Sequence, residues 1–276
     1  MKPRAVAAWS TSAVAMVVLT NNPVYRALIG LIALNFVLHH RRRGVAVAPL
    51  LALLGGFGVF TIAYNPLISH AGAHRVAAIP AMVPGVGGAI TLESMAFGVS
   101  AAVGFVAAAL AVAPLLLVLE PTDLLDVLPS RLHGIGTALA ASLNLVPAVA
   151  RSFSRVREAE TLRGSPRRGP RGLAALVVPV TLTTIESSMN LAEAMEARAY
   201  GSGLRTRRAA TELSSVDRLA VAVSVAAFLW LLGLRTGGAI ADWYPFPDVS
   251  VPEVHPVAVL ACMLLAVPPL LARARG

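Results

Sequence analysis

An all-α, polytopic membrane fold is what this sequence predicts, and three observations predict it. Hydrophobic residues make up 57% of the 276 and charged residues 13%, where a soluble domain carries about 25% charge. Mean hydropathy is +0.73. Several apolar runs approach the roughly 20 residues that a helix needs to cross a bilayer. None alternates with the period of a membrane β-barrel strand.

About six transmembrane helices are expected. The first, 5–20, is short and follows Lys2 and Arg4, which gives it a superficial likeness to a signal peptide. The Asn21-Asn22-Pro23 turn leads straight into a second span at 24–38, so the first is expected to stay uncleaved. The third, 45–64, contains Gly55, Gly56 and Gly58. The fourth covers 91–119, the fifth 218–234 and the sixth 256–271. This divides the chain into N-terminal transmembrane helices (1–119), a cytoplasmic coupling-helix region (120–217) and C-terminal transmembrane helices (218–276).

Charge sets the expected orientation. With both termini on the cytoplasmic side of the cell membrane, 20 of the 23 basic residues fall inside, and only Arg26, Arg75 and Arg235 fall outside. Such a bias fixes topology in multi-pass proteins. The net charge of +9 does not point to nucleic acid. The basic groups, such as Arg41, Arg42 and Arg43, flank apolar runs and suit contact with the lipid bilayer and its anionic headgroups.

Two external loops are expected. Residues 65–90 are rich in glycine and proline and contain His70 and His74, four apart. Residues 242–253 carry Trp243, Tyr244 and Phe246, residue types that favour the membrane interface. His70, His74 and His255 are the histidines that could suggest a metal site, but the pair at 70 and 74, in a loop containing Gly72, has no third ligand or carboxylate beside it, so no metal and no cofactor is expected. Glu93 reads as a carboxylate at the end of a span. Cys262 is the only cysteine, so no disulfide forms within the chain.

The coupling region is basic yet still rich in apolar residues. It begins with PTDLLDVLPSRL, in which Asp123 stands at a helix start and Pro129 interrupts. Helices are then predicted over 134–163 and 173–198, each apolar in its first half and charged at its end. The breaker-rich RGSPRRGPRG lies between them. Helices of this pattern lie under or partly in the membrane and point their polar ends at a soluble partner. Two further full spans are the other reading of this region.

Those charged ends carry a repeat, EAETLRG from Glu158 and EAMEARAYG from Glu193, 35 residues apart. Both share Glu-Ala-x-x-x-Arg. A helix dipole stabilises an arginine at its C-terminus, which accounts for Arg163 and Arg198 singly. It does not account for Ala159 and Ala194, each four residues earlier and so on the same face. A small residue beside a guanidinium leaves room for another surface to approach, and the guanidinium offers a planar fork of donors.

With these motifs the chain resembles the transmembrane (T) component of energy-coupling factor (ECF) transporters, the CbiQ-like or cobalt transport permease family. The resemblance covers four spans, the coupling region and the closing spans. Its specific part is the pair of Ala-Arg-Gly-type motifs, and NLAEAMEARAYGSG (190–203) is close to the second of them. In the first, Leu162-Arg163-Gly164, leucine replaces the usual alanine. In the second, Ala197-Arg198-Ala199, glycine is delayed to Gly201. The resemblance implies that these residues, supported by Glu158, Ala159, Glu193 and Ala194, dock onto two ABC ATPase subunits. It implies a small membrane S component as the substrate-binding partner and a vitamin or transition-metal ion as cargo.

The chain itself is expected to be non-catalytic. It contains no His-Glu-x-x-His, Gly-x-Ser-x-Gly, Cys-x-x-Cys or phosphate-binding loop. A self-sufficient secondary transporter is one alternative, but it calls for polar groups in mid-membrane and repeated spans. A lipid-binding membrane scaffold is the other.

Overall fold

A computed structural model describes residues 2–40, 46–80, 87–119, 133–164, 170–199 and 213–273. The basic triplet 41–43, the piece 124–132 of the coupling region, the connector 165–169 and Gly201 lie outside the described residues. The protein is mostly helical. Its elements are α1 (Pro3–Leu19), α2 (Pro23–His40), α3 (Ala48–Ile68), β1 (Arg75–Ile79), β2 (Gly88–Thr91), α4 (Leu92–Leu117), α5 (His133–Leu162), α6 (Pro170–Ala197), α7 (Ser215–Thr236), α8 (Pro256–Leu264) and α9 (Val267–Arg273).

A helix covers each of the six expected apolar stretches. Among the described residues α3, α4 and α7 are long and apolar enough to cross a membrane, whereas α1 and the stretch Pro256–Ala272 are apolar but shorter. Leu53, Val59 and Phe60 on α3 are exposed, as a lipid-facing surface requires. The chain divides into two compact units, one formed by Met1–Asp123 with Leu213–Gly276 and one by Leu124–Glu212.

In the larger unit α4 packs against α1, α2 and α3. Small residues make this possible, since helices in lipid associate by close packing and not by escape from water. A Cβ added at Gly30 of α2 would lie 3.1 Å from the Ala107 Cβ and 3.2 Å from its Cα on α4. One at Gly98 of α4 would lie 3.2 Å from the Ile62 carbonyl of α3. Gly30→Val therefore pushes α2 off α4. The expected loss is about 1–3 kcal/mol of stability, measured as a lower thermal midpoint in detergent beside a wild-type control.

The first two helices are tied to the last two. Trp9 is fully buried and its indole Nε1 donates to the Leu265 carbonyl at 2.8 Å. Its ring meets Phe36 of α2 edge-on, with centroids 4.7 Å apart. Asn22 Nδ2 donates to the Glu253 carbonyl at 2.7 Å while its Oδ1 accepts the Val24 N–H. The His255 N–H donates to the Tyr25 hydroxyl at 2.7 Å. The Lys2 N–H donates to Asp217 Oδ1 on α7 at 3.1 Å.

In the described part of the loop ahead of α4 two short strands form. β1 and β2 pair antiparallel, with Ala78 opposite Ala89 and an irregularity between Arg75 and Ala77. Thr91 caps α4 by accepting the Ser94 N–H, and its own hydroxyl donates to the Ala71 carbonyl. Glu93 is fully buried by protein in the first turn of α4, at the end of that span. Its Oε1 lies 2.8 Å from His74 Nδ1 and accepts the His74 N–H at 3.1 Å. The hydrogen bond that His74 donates to Glu93 and the adjacent negative charge hold the His74 pKa above the usual imidazole value. Gly72 has φ +129°, and a Cβ there would overlap the Glu93 carboxylate.

Candidate docking ends of the coupling helices

The smaller unit is built on α5 and α6, which pack against each other. Leu176 and Val180 of α6 are buried and fix the pairing, as the apolar first half of that helix demands. Farther along, the two helices splay around an open groove of about 460 Å³ lined by Leu145, Val149, Val180, Ile185 and Met189. On α6 the apolar side chains Val177, Val178, Leu182 and Leu191 are exposed as well. Thr181, Thr183, Thr184, Ser187 and Ser188 each donate to the carbonyl four residues back, so these hydroxyls are satisfied within the helix.

Both helices stop in a similar way. The Arg163 N–H donates to the Ala159 carbonyl at 3.1 Å and the Gly164 N–H to the Thr161 carbonyl at 3.0 Å. Gly164 then takes φ +72°. At the other end the Arg198 N–H donates to the Met195 carbonyl at 3.2 Å and the Ala199 N–H to the Glu196 carbonyl at 2.8 Å. Ala199 then takes φ +55°. Each arginine thus stands one residue before a left-handed residue, the position at which helices are commonly terminated. The second end tightens to i−3 hydrogen bonds one residue earlier than the first.

This changes the reading of the second motif. The glycine of the second motif is delayed to Gly201, outside the described residues, and among the described residues the left-handed turn falls on Ala199. A non-glycine residue there is strained by about 1–2 kcal/mol, and part of that cost is recovered because alanine has a lower unfolded-chain entropy than glycine. Ala199→Gly is expected to stabilise the last turn of α6 by roughly 0.5–1 kcal/mol. Amide hydrogen exchange across residues 195–199 then slows about two- to fivefold, and an unchanged rate would count against the strain.

The expected site residues Leu162, Arg163, Gly164, Ala197, Arg198 and Ala199 are all exposed, as are Glu158, Ala159, Glu193 and Ala194. Leu162 is 83% exposed, large for a leucine that closes a helix. Among the described residues neither Arg163 nor Arg198 makes a salt bridge. The arrangement offers two cationic forks at two helix ends, each bordered by a small residue. The apolar first half of α6 was legible in the sequence, and the structure divides it into a buried pair, Leu176 and Val180, and an exposed pair, Val177 and Val178.

The family model described as CbiQ, cobalt transport protein, matches residues 1–209, a stretch that contains both arginines. The chain is also 31% identical over 112 residues to the energy-coupling factor transporter transmembrane protein EcfT of Exiguobacterium sibiricum. That alignment covers 38% of this chain and 43% of the relative. The chain therefore spans less than half the length of the curated relative it matches.

Proposed function

The chain belongs to the CbiQ cobalt transport protein family, and from that membership we propose that it is the transmembrane coupling subunit of an ABC-type ECF importer. The observation that carries this reading is the matched pair of helix ends, Arg163 before Gly164 and Arg198 before Ala199, in one compact unit. The similarity to EcfT, named as a transmembrane protein of an energy-coupling factor transporter, supports it.

In this reading Arg163 and Arg198 each anchor in a groove on one of two ABC ATPase subunits. A fork of N–H donors suits carboxylates and backbone carbonyls, and Ala159 and Ala194 let the groove wall come close. Closure of the ATPase pair on ATP moves the two anchors relative to each other. Helices α5 and α6 carry that movement to a small S component seated on their apolar faces, which releases a vitamin or transition-metal ion. This chain is the non-catalytic subunit, with both termini in the cytoplasm.

The test is affinity purification of the tagged chain from its native membrane in mild detergent. Recovery of two ATPase subunits together with a small membrane protein is the expected result, and the small protein then leads to the cargo. A chain that elutes alone overturns the reading in favour of a self-sufficient transporter.

A further inference from the structure

Three potential metal ligands from distant parts of the chain meet at the start of α4. The ligand atoms of His74, Glu93 and Asp248 all lie within 4.8 Å of one another. His74 comes from the loop before β1, Glu93 from the first turn of α4, and Asp248 from the segment between α7 and α8. We infer that these three residues bind one divalent first-row transition-metal cation, fastening the loop before α4 to the segment that follows α7.

Geometry supports this first. A first-row cation holds oxygen and nitrogen ligands at about 2.0–2.2 Å, which sets neighbouring ligand atoms about 3.0–3.6 Å apart. His74 Nδ1 and Glu93 Oε1 stand 2.8 Å apart as a hydrogen-bonded pair, close to that spacing once a metal replaces the shared proton. The Asp248 ligand atom lies within 4.8 Å of both, on an exposed bend. The bend is carried to α4 by ring contacts, Phe97 with Tyr244 at 5.9 Å and with Phe246 at 6.0 Å between centroids.

Charge supports it second. Glu93 is fully buried, while the imidazole against it is 64% exposed. A buried carboxylate is costly unless an opposite charge compensates it. Without the metal the His74 proton offsets the Glu93 charge; a metal that displaces this proton meets a neutral imidazole and two carboxylates, whose two negative charges one divalent cation balances. Support around Glu93 is also in place. The backbone at Gly72 leaves no room for a side chain against the carboxylate, and Thr91 pins the Ala71 carbonyl. Groups held in this way orient a ligand and raise metal affinity.

Ligand chemistry narrows the metal. One imidazole and two carboxylates suit zinc, cobalt, nickel or manganese. Calcium and magnesium prefer all-oxygen shells, and no thiolate is present to favour a soft ion. Of the other two histidines singled out in the sequence, His70 has its Nδ1 3.2 Å from the Ala89 carbonyl and its ring against Gly88, and His255 stands immediately before α8. This inference does not rest on the proposed transport role, and its test reads the isolated chain.

The test uses the full chain in detergent, purified through a tag free of histidine and stripped with a chelator. Cobalt(II) is then titrated by equilibrium dialysis with elemental analysis, in the presence of excess magnesium. One equivalent bound at micromolar or lower concentration is expected, together with a rise in the thermal midpoint. Asp248→Asn and His74→Gln, both at exposed side chains, each weaken binding about tenfold or more. His39→Gln with His40→Gln leaves it unchanged. Binding well below one equivalent overturns the inference, and so does stoichiometric binding that survives both Asp248→Asn and His74→Gln.

Discussion

Reversing both anchors, Arg163→Glu with Arg198→Glu, is expected to detach the chain from its ATPases. If each guanidinium is desolvated in a groove, removing it costs about 2–5 kcal/mol, and reversing its sign costs at least that. One such loss weakens association by about thirtyfold or more, since about 1.4 kcal/mol is tenfold. The double variant then loses both ATPase subunits on a mild-detergent column, while either single variant retains some of one. Folding is not at stake, because both side chains are exposed and lie at the last turn of their helices. Retention of both ATPases by the double variant would sink the docking role. Lysine substitutions separate docking from simple attraction to lipid. A lipid surface sees the same charge, whereas a forked contact loses its geometry. Docking therefore predicts that Arg163→Lys with Arg198→Lys also weakens ATPase recovery.

The largest expected effect on stability is at Trp9. Its removal as Trp9→Ala takes away the edge contact with Phe36, the packing of a fully buried indole and the donor to the Leu265 carbonyl. Substitutions of this kind cost about 3–5 kcal/mol in soluble cores. In a membrane the water-transfer part of that figure is small, but lost packing and an orphaned carbonyl remain, with no water in lipid to replace them. Cys262 gives a direct readout. It is the only cysteine and is fully buried in α8, so a dye that fluoresces on reacting with thiols reports opening of the helix pack. Trp9→Ala should lower the labelling midpoint sharply. Trp9→Phe, which keeps a ring but loses the N–H, should fall between. A midpoint unchanged by Trp9→Ala would mean that α1 is not held as described.

Long uniform stretches were legible in the sequence, and convergence of distant side chains was not. The coupling helices were expected at 134–163 and 173–198, and α5 and α6 run His133–Leu162 and Pro170–Ala197. Breakers and charge mark those ends without help from tertiary contacts. The ribbon of β1 and β2 was missed because its strands are short and built largely from alanine, glycine and isoleucine, with no clear alternation. Its pairing comes from the loop packing onto the start of α4. Glu93 was read as an interfacial carboxylate because a charge beside an apolar run usually is one. Only the fold brings residues 70–74 back over it. The partnership with Asp248 spans most of the chain, and spacing along the sequence carries no trace of it. Ala199 was named as a site residue, but its left-handed backbone was not foreseen, since glycine is the residue expected in such a turn.

The bonds from α1 and α2 to the end of the chain also set a timetable. Trp9 finds its acceptor 256 residues downstream, Asn22 finds one 231 residues downstream and Tyr25 meets a donor 230 residues away. At about 5–20 residues per second of synthesis, α1 waits roughly 13–50 s in the bilayer with its indole N–H unanswered. Its first helices are thus made long before they can be finished. In that interval α4, already synthesised, is the neighbour that can hold them through its small-residue contacts. The order of translation therefore makes the Gly30–Ala107 seam an early clamp and the Trp9–Leu265 bond a late lock, so a ribosome that stalls before residue 265 leaves a bundle that is packed but not fastened.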